Sequence, residues 1–234
     1  MENIARLTRQ QIEEGLKAQG SNLQLEGQEL GGLDLSNLEL SGLNLAGANL
    51  SGANLKETQL RDANLSQANL ENANLSGANL SGAILTGVKL AGANLSEAYL
   101  LKAHLAGVNL SGVNLSKAKL DEANLEQANL AGANLDRAYL VRAKLSQANL
   151  TAAYLSGANF KDAGLSQANL AQANLSGAYL ENVDLNGSDL RQAKLEGADL
   201  KKAIYNHETR WDEGFNPTAA GAIQQKKKWF GLFS

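Results

Sequence analysis

Chemistry that needs a nucleophile, a metal or a tuned acid finds little to work with in this 234-residue sequence, which has two histidines and no cysteine. That excludes a disulfide framework, thiolate metal sites and a cysteine nucleophile. His104 has no Ser, Asp or Cys at a motif spacing; the residues twenty before and twenty after it are Ile84 and Asn124. His207 stands alone near the end of the chain. No glycine-rich phosphate loop precedes a helix pattern. The residues that do recur are aromatic and cationic. Tyr99, Tyr139 and Tyr179 are spaced forty apart, and Lys102 and Arg142 each follow a Tyr by three residues. Tyrosine offers broad apolar area with a polar tip, so beside a cation it suits contact with another molecule rather than bond making. The same residues also fit a plainer role, since Tyr is at home on any exposed strand and charges keep a surface solvated. The sequence reads as non-enzymatic, with no catalytic residue, cofactor or metal site.

A second group lies at the end of the chain, where Lys226, Lys227 and Lys228 run into Trp229, Phe230 and Phe233. Basic and aromatic residues together suit a membrane interface. Three charges at about 1 kcal/mol each would give weak, reversible peripheral contact. A tail docked on a partner protein is the alternative. The first residues, MENIARLTRQ, lack the basic stretch and apolar run of a secretory signal, and no window of the sequence is apolar for long enough to span a bilayer. The expectation is a cytoplasmic protein, at most peripheral to a membrane.

The elements that must position these groups are set by one period. From 25 to 200, every residue whose number is a multiple of five is Leu except Phe160, over 36 consecutive positions. Two residues earlier, Ala fills 25 of the 31 positions between Ala48 and Ala198; the exceptions are Thr58, Val88, Val108, Val113, Val183 and Ser188. The residue between them is most often Asn. On an α-helix, with about 100° per residue, a five-residue period spirals around every face. On a flat strand an odd period flips alternate Leu to opposite faces. Each unit therefore combines a short extended piece with a turn. Ala and Leu share the inner face and Asn points outward. The glycines agree, since 16 of 23 fall at the second position after the Leu, where a corner needs permissive backbone angles. Proline is absent from the repeats, as suits N–H groups engaged in ladders.

With units such as SGANL, SQANL, EGADL and DEANL over residues 21–200, the sequence resembles the pentapeptide-repeat family and its A(D/N)LXX consensus. The resemblance implies an all-β solenoid, a right-handed quadrilateral β-helix with four pentapeptides to a coil. The 36 units then make about nine coils, a rod about 40 Å long at the usual strand spacing. In that fold residues i and i+20 stack. Asn109, Asn129, Asn149 and Asn169 form one outward column and Asn54, Asn74, Asn94, Asn114 and Asn134 another, their amides bonding up the stack. Tyr99, Tyr139 and Tyr179 share one wall. The corner after it carries Arg61, Asp62, Lys102, Asp121, Glu122, Arg142, Lys161 and Asp162. Phe160 needs local room, and Gly164 is the neighbouring residue that could provide it.

A solenoid must close its ends. Residues 1–20 read as an N-terminal helical cap: Thr8 and Gln11 fit a capping box, and Leu7, Ile12 and Leu16 lie on one helical face. Leu23, Leu33, Leu38 and Leu43 occupy positions that later hold Ala, and they supply bulk beneath that helix. Residues 21–205 are the repeat β-helix. An irregular C-terminal cap spans 206–223, with Trp211, Phe215 and Pro217 as its plug, and 224–234 form the basic-aromatic tail. TRWDEGFNP resembles a segment that follows the repeats in many family members from photosynthetic bacteria, which often have Pro at the position of Asp212.

Some members of the family mimic DNA and bind DNA gyrase through a strongly acidic rod. Residues 21–200 here carry 12 Lys and Arg against 18 Asp and Glu, with both signs at the same corner. That speaks against direct nucleic-acid binding, which needs a basic stripe. The leading expectation is a scaffold that presents a rigid wall to another protein. DNA mimicry toward gyrase or another topoisomerase and a peripheral membrane scaffold held by the tail are the competing readings.

Overall fold

The computed structural model describes residues 7–225. Its corners are β-turns closed across each Leu: the Ala48 N–H donates to the Leu45 carbonyl at 3.0 Å, and the bond recurs unit after unit. At every corner from Gly27 to Lys202 the second residue after the Leu has a positive φ, between 54° and 71°, as a type II turn requires. Glycine takes only some of these positions. Glu57, Lys102 and Arg142 adopt the same conformation against a preference of roughly 1–2 kcal/mol. The bond between coils imposes it: the Arg142 N–H reaches the Lys161 carbonyl at 3.0 Å, as the Gly47 N–H reaches that of Ser66 at 2.8 Å.

Each side contributes a single pairing residue, the one before the Leu. The parallel bridges join residues twenty apart, such as Asn54 with Asn74, Tyr99 with Lys119 and Asn129 with Asn149. A coil of twenty residues with five to a side has four sides. The first carries Asn44, Asn64, Ile84 and His104 outward, the second Asn49, Asn69, Lys89 and Asn109. The third carries Asn54, Asn74 and Asn94, and the fourth Gln59, Asn79, Tyr99, Lys119 and Tyr139. The second side faces the fourth across the core. Among the described residues only β1 (Ile204–Tyr205) and β2 (Ile223–Gln224), paired in parallel, reach two residues.

The core holds the Leu and Ala columns. Every multiple of five from Leu25 to Leu190 is buried, Phe160 included, each Leu contributing about 1.5–3 kcal/mol against the entropy of ordering the chain. Leu195 corrects the expectation of uniform burial. It is only partly buried, because no further coil lies beneath the third side and Phe215 covers it incompletely. Thr58 and Ser188 are tolerated in the Ala columns because their hydroxyls donate to the carbonyls of Leu35 and Leu185 at 2.9 and 2.7 Å. Gly164 plays no part in accommodating Phe160: a Cβ there would come near only the Ser146 hydroxyl, at 3.9 Å.

Helix α1 (Arg9–Gln19) closes the N-terminal end. Thr8 and Gln11 form the reciprocal capping box, and Ile12 is buried. Leu7, Leu16, Leu23 and Leu33 pack partly buried against the core. Gly15 allows the close approach, since a Cβ there would meet Leu23 Cδ1 at 2.7 Å. Arg9 fastens the helix to the first coil through the carbonyls of Asp34 and Ser36, at 3.0 and 3.1 Å. At the other end Trp211 meets Tyr205 edge-on at 5.7 Å and stacks on Phe215 at 5.2 Å. Pro217 supplies a carbonyl to the Ala222 N–H at 3.0 Å. Pairing does not stop at Tyr205: β2 adds to it, and the Gln225 N–H donates to the Tyr205 carbonyl at 2.7 Å. Gln224 and Gln225 thus continue the ladder rather than begin the tail.

Candidate interaction surface

The outward position before each Leu has a structural task, and where it is left undone marks the candidate surface. Every Asn and Asp there, from Asp34 to Asp199, turns its Oδ1 back to accept the N–H of the corner residue two further on. This is an Asx turn, which no other short side chain makes as well. The Asn Nδ2 is then free to donate along the stack. Asn129 donates to Asn109 and Asn149 to Asn129, at 3.1 and 3.0 Å. Asn74, Asn94 and Asn114 each donate to the Asn one coil before, at 3.3, 3.5 and 3.0 Å. Asn134 and Asn169, expected in the same two ladders, cap their corners but make no amide bond to the Asn one coil before; the rest of the ladder was legible in the sequence, and the corner cap was not.

Tyr99, Lys119 and Tyr139 occupy three successive coils of the fourth side and make none of these bonds. The N–H groups of Leu101 and Asp121 have no acceptor among the described residues, and that of Val141 is taken by Asp121 Oδ1 at 2.8 Å instead. The tyrosines are exposed, at 40% for Tyr99, 48% for Tyr139 and 57% for Tyr179. They do not form one unbroken row, because Lys119 and Asn159 stand between them. Lys119 lies over the Tyr99 ring, its Nζ 4.0 Å from the centroid, a cation–π contact that orders both side chains. A depression of about 480 Å³ opens beside them, lined by Tyr99, Tyr139, Lys117, Lys119, Glu57 and Glu97.

The charges at the adjoining corner are mostly matched from coil to coil. Lys102 pairs with Glu122 at 3.6 Å and Lys161 with Glu181 at 3.0 Å, while Asn182 donates to Asp162 at 2.9 Å. Glu181 raises the Lys161 pKa above its ordinary value. On the other edge of the wall Lys117 pairs with Glu97 at 3.2 Å. Arg142 has no ion pair among the described residues. Lys102 is therefore engaged within the rod, and Arg142 is the cation of the pair that faces outward unmatched. A duplex mimic calls for one continuous acidic face, and here each of these lysines neutralises a carboxylate one coil away.

Sequence reasoning passed over the apolar residues around the corner. Leu101, which follows the Tyr99 side, is 38% exposed, and Ile84 on the first side is 42% exposed. Their signal was present as an apolar residue at an outward position, but it was masked by the attention given to Tyr. Tyr154 is 59% exposed on the third side, isolated within an Asn column. His104 pairs through its backbone with Ile84 and Asn124 and gathers no catalytic neighbour. Lys226, Lys227, Lys228, Trp229, Phe230 and Phe233 lie outside the described residues. No helix among the described residues is long and apolar enough to cross a membrane.

Comparison with known proteins adds the following. The family model described as Pentapeptide repeats matches residues 21–56, 53–92, 89–127, 123–162 and 163–201. Among solved structures the chain is similar to HetL, a pentapeptide repeat protein involved in heterocyst differentiation regulation from the cyanobacterium Nostoc sp. strain PCC 7120. Identity is 34% over 86% of this chain and 98% of HetL, with a TM-score of 0.38. It is similar also to the pentapeptide repeat protein Rfr23 from the cyanobacterium Cyanothece 51142, at 32% identity over 49% of this chain and 91% of the other, with a TM-score of 0.38. QnrB1, a plasmid-mediated fluoroquinolone resistance protein, shares 16% identity over 81% of this chain and 84% of its own, with a TM-score of 0.40. No curated protein matches the chain.

Proposed function

Because the chain belongs to the pentapeptide-repeat family, we propose that its quadrilateral rod of about nine coils is a non-enzymatic scaffold whose fourth side binds another protein. One observation carries the reading. At Tyr99, Lys119 and Tyr139 the residue that would cap the corner and extend the Asn ladder is replaced on three successive coils, and none of the replacements is packed into the core, the tyrosines being exposed and Lys119 half-buried. A side chain that caps no corner and stays out of the core adds little to the fold, whereas Tyr and cations are what protein interfaces favour. Arg142 and the exposed Leu101 at the same corner extend the surface.

The test exploits the residue that the fold prefers. A variant carrying Tyr99→Asn, Tyr139→Asn and Tyr179→Asn supplies caps for the Leu101 and Glu181 N–H groups, while Asp121 already accepts that of Val141, so it is expected to fold and to melt no lower than the parent protein. Affinity purification of both from the native cell is expected to recover a protein with the parent chain that is absent from the variant. Equal recovery of every co-purifying protein would refute the fourth side as the binding wall.

A further inference from the structure

The ladder between coils is continuous on all four sides from Glu29 to Arg210 except at one place. No bridge joins Lys89 to Asn109 on the second side. Five N–H groups that are bonded at the equivalent points of every neighbouring coil, those of Gly87, Leu90, Gly92, Asn109 and Asn114, have no backbone acceptor among the described residues. The loss is graded around the coil. On the fourth side, opposite, Leu100 still donates to Lys119 at 2.7 Å and Lys119 to Ala98 at 2.9 Å. On the first side the Leu85 N–H to His104 bond survives at 3.0 Å, and on the third Leu95 still donates to Asn114 at 2.8 Å. Two adjacent coils are therefore open on the second side and shut on the fourth.

The cause lies in the core. Val88 and Val108 replace Ala at the same position of successive coils, one directly upon the other, and Val113 stands beside them on the third side. Coils about 4.8 Å apart leave room for stacked methyl groups but not for two stacked β-branched side chains, and a tightly packed interior yields by moving its walls. Val183 supplies the control. It has Ala163 and Ala203 for column neighbours, and the bridges of Asp184 to Gly164 and to Ile204 are both intact. A single Val is absorbed, and a stacked pair is not.

We propose that Val88 and Val108 act as a wedge that tilts two coils apart on the second side and makes the fourth side concave at the same level. The depression beside Tyr99, Lys117, Lys119 and Tyr139 spans that coil interface. Core valines thus set the shape of the exposed wall without touching what binds there. Use of the hollow by a partner rests on the function proposed above, whereas the wedge and the curvature do not.

Amide hydrogen exchange on the full chain tests the wedge. In the parent protein the Leu90 and Asn109 amides are expected to exchange fast while those of Leu70 and Asn129 are protected. Val88→Ala with Val108→Ala is expected to slow the first two by about tenfold or more. Ala163→Val, which builds a stacked pair with Val183, is expected to open a second gap and expose the amides of Leu165 and Asp184. Curvature is read from spin-label pairs, which the absence of native cysteine permits. With the wedge removed, labels at Gln59 and Asn159 on the fourth side are expected to move apart and labels at Asn69 and Asn169 on the second to draw together. Fast exchange that persists in the double Ala variant, or a protected Asp184 in the Ala163→Val variant, overturns the wedge. Unchanged label separations overturn its link to the hollow. Retention of all partners by the Tyr→Asn variant would remove the use of the hollow and leave the exchange result standing.

Discussion

The second and fourth sides each rest on columns of Leu and mostly Ala yet spend their outward residues differently. On the second side Asn109, Asn129 and Asn149 each cap a corner and are joined to one another by amide bonds up the stack. On the fourth, Tyr99, Lys119 and Tyr139 do neither; the two tyrosines stand exposed and Lys119 is half-buried. From Asn129 onward, past the Val88 and Val108 pair, the second side rests on the same kind of core as the fourth, and there the difference isolates what the outward residue contributes to the fold from what it presents to solvent. A wall lined with Asn is occupied with holding the coils together, and a wall lined with Tyr and Lys is available for contact.

Breaking the inward–outward division should have the largest effect. Leu125 is fully buried, so Leu125→Asp places a charge where no partner can reach it and is expected to cost more than about 4 kcal/mol. Asn124→Ala removes only the cap on the Glu126 N–H and should cost about 0.5–1 kcal/mol. Equal shifts in melting temperature for the two would contradict the register. Next in size is Asn129→Ala, which loses the cap on Ala131 and the amide bonds to Asn109 and from Asn149. Chemical denaturation should report a loss of about 1–2 kcal/mol, at the rate of roughly 0.5–1.5 for each net hydrogen bond discounted for exposure. Tyr139→Ala on the fourth side is expected to change stability by less than about 0.5 kcal/mol, as for a surface position without such bonds.

The smallest effect is electrostatic and belongs to the C-terminal end of the second side. The Arg191 guanidinium donates to Asp189, 2.6 Å at its shortest, and with Arg210 holds that carboxyl below the usual carboxylate range. A lowered pKa in the folded state means that the pair stabilises the fold above the unfolded-state pKa of about 4, and that this contribution fades as pH falls through the folded value. Asp189→Asn is therefore expected to flatten the acid limb of the stability profile slightly while leaving its neutral limb lower. A profile of unchanged shape would remove Asp189 from the account.

The core and its register were legible because Leu at every fifth residue admits one inward arrangement. The capping box at Thr8 and Gln11 was equally plain, being a local pattern. The corner cap by Asn was hidden, since Asn is also the residue of simple amide ladders and the sequence does not show where its Oδ1 turns. Val88 and Val108 were visible as exceptions, yet only three-dimensional comparison with Val183 separates a tolerated Val from a disruptive pair. Leu195 could not be distinguished from Leu190 by pattern, because its exposure depends on how far Phe215 reaches over the last coil. The Tyr wall was found from spacing. Its contrast with the Asn walls needed the hydrogen bonds.

A reciprocal exchange between the two walls tests the division of labour most directly. Asn129→Tyr places the fourth-side residue on the second side, and Tyr139→Asn does the reverse. The account predicts that denaturant unfolding of Asn129→Tyr shows a stability loss of about 1–2 kcal/mol, as its cap and ladder bonds disappear. It predicts that Tyr139→Asn is neutral or more stable than the parent chain, because Asp121 already accepts the Val141 N–H and the exposed Tyr139 ring caps no corner. If Tyr139→Asn is destabilised as much as Asn129→Tyr, then Tyr139 supports the fold and the fourth side has no claim to be a surface kept for contact.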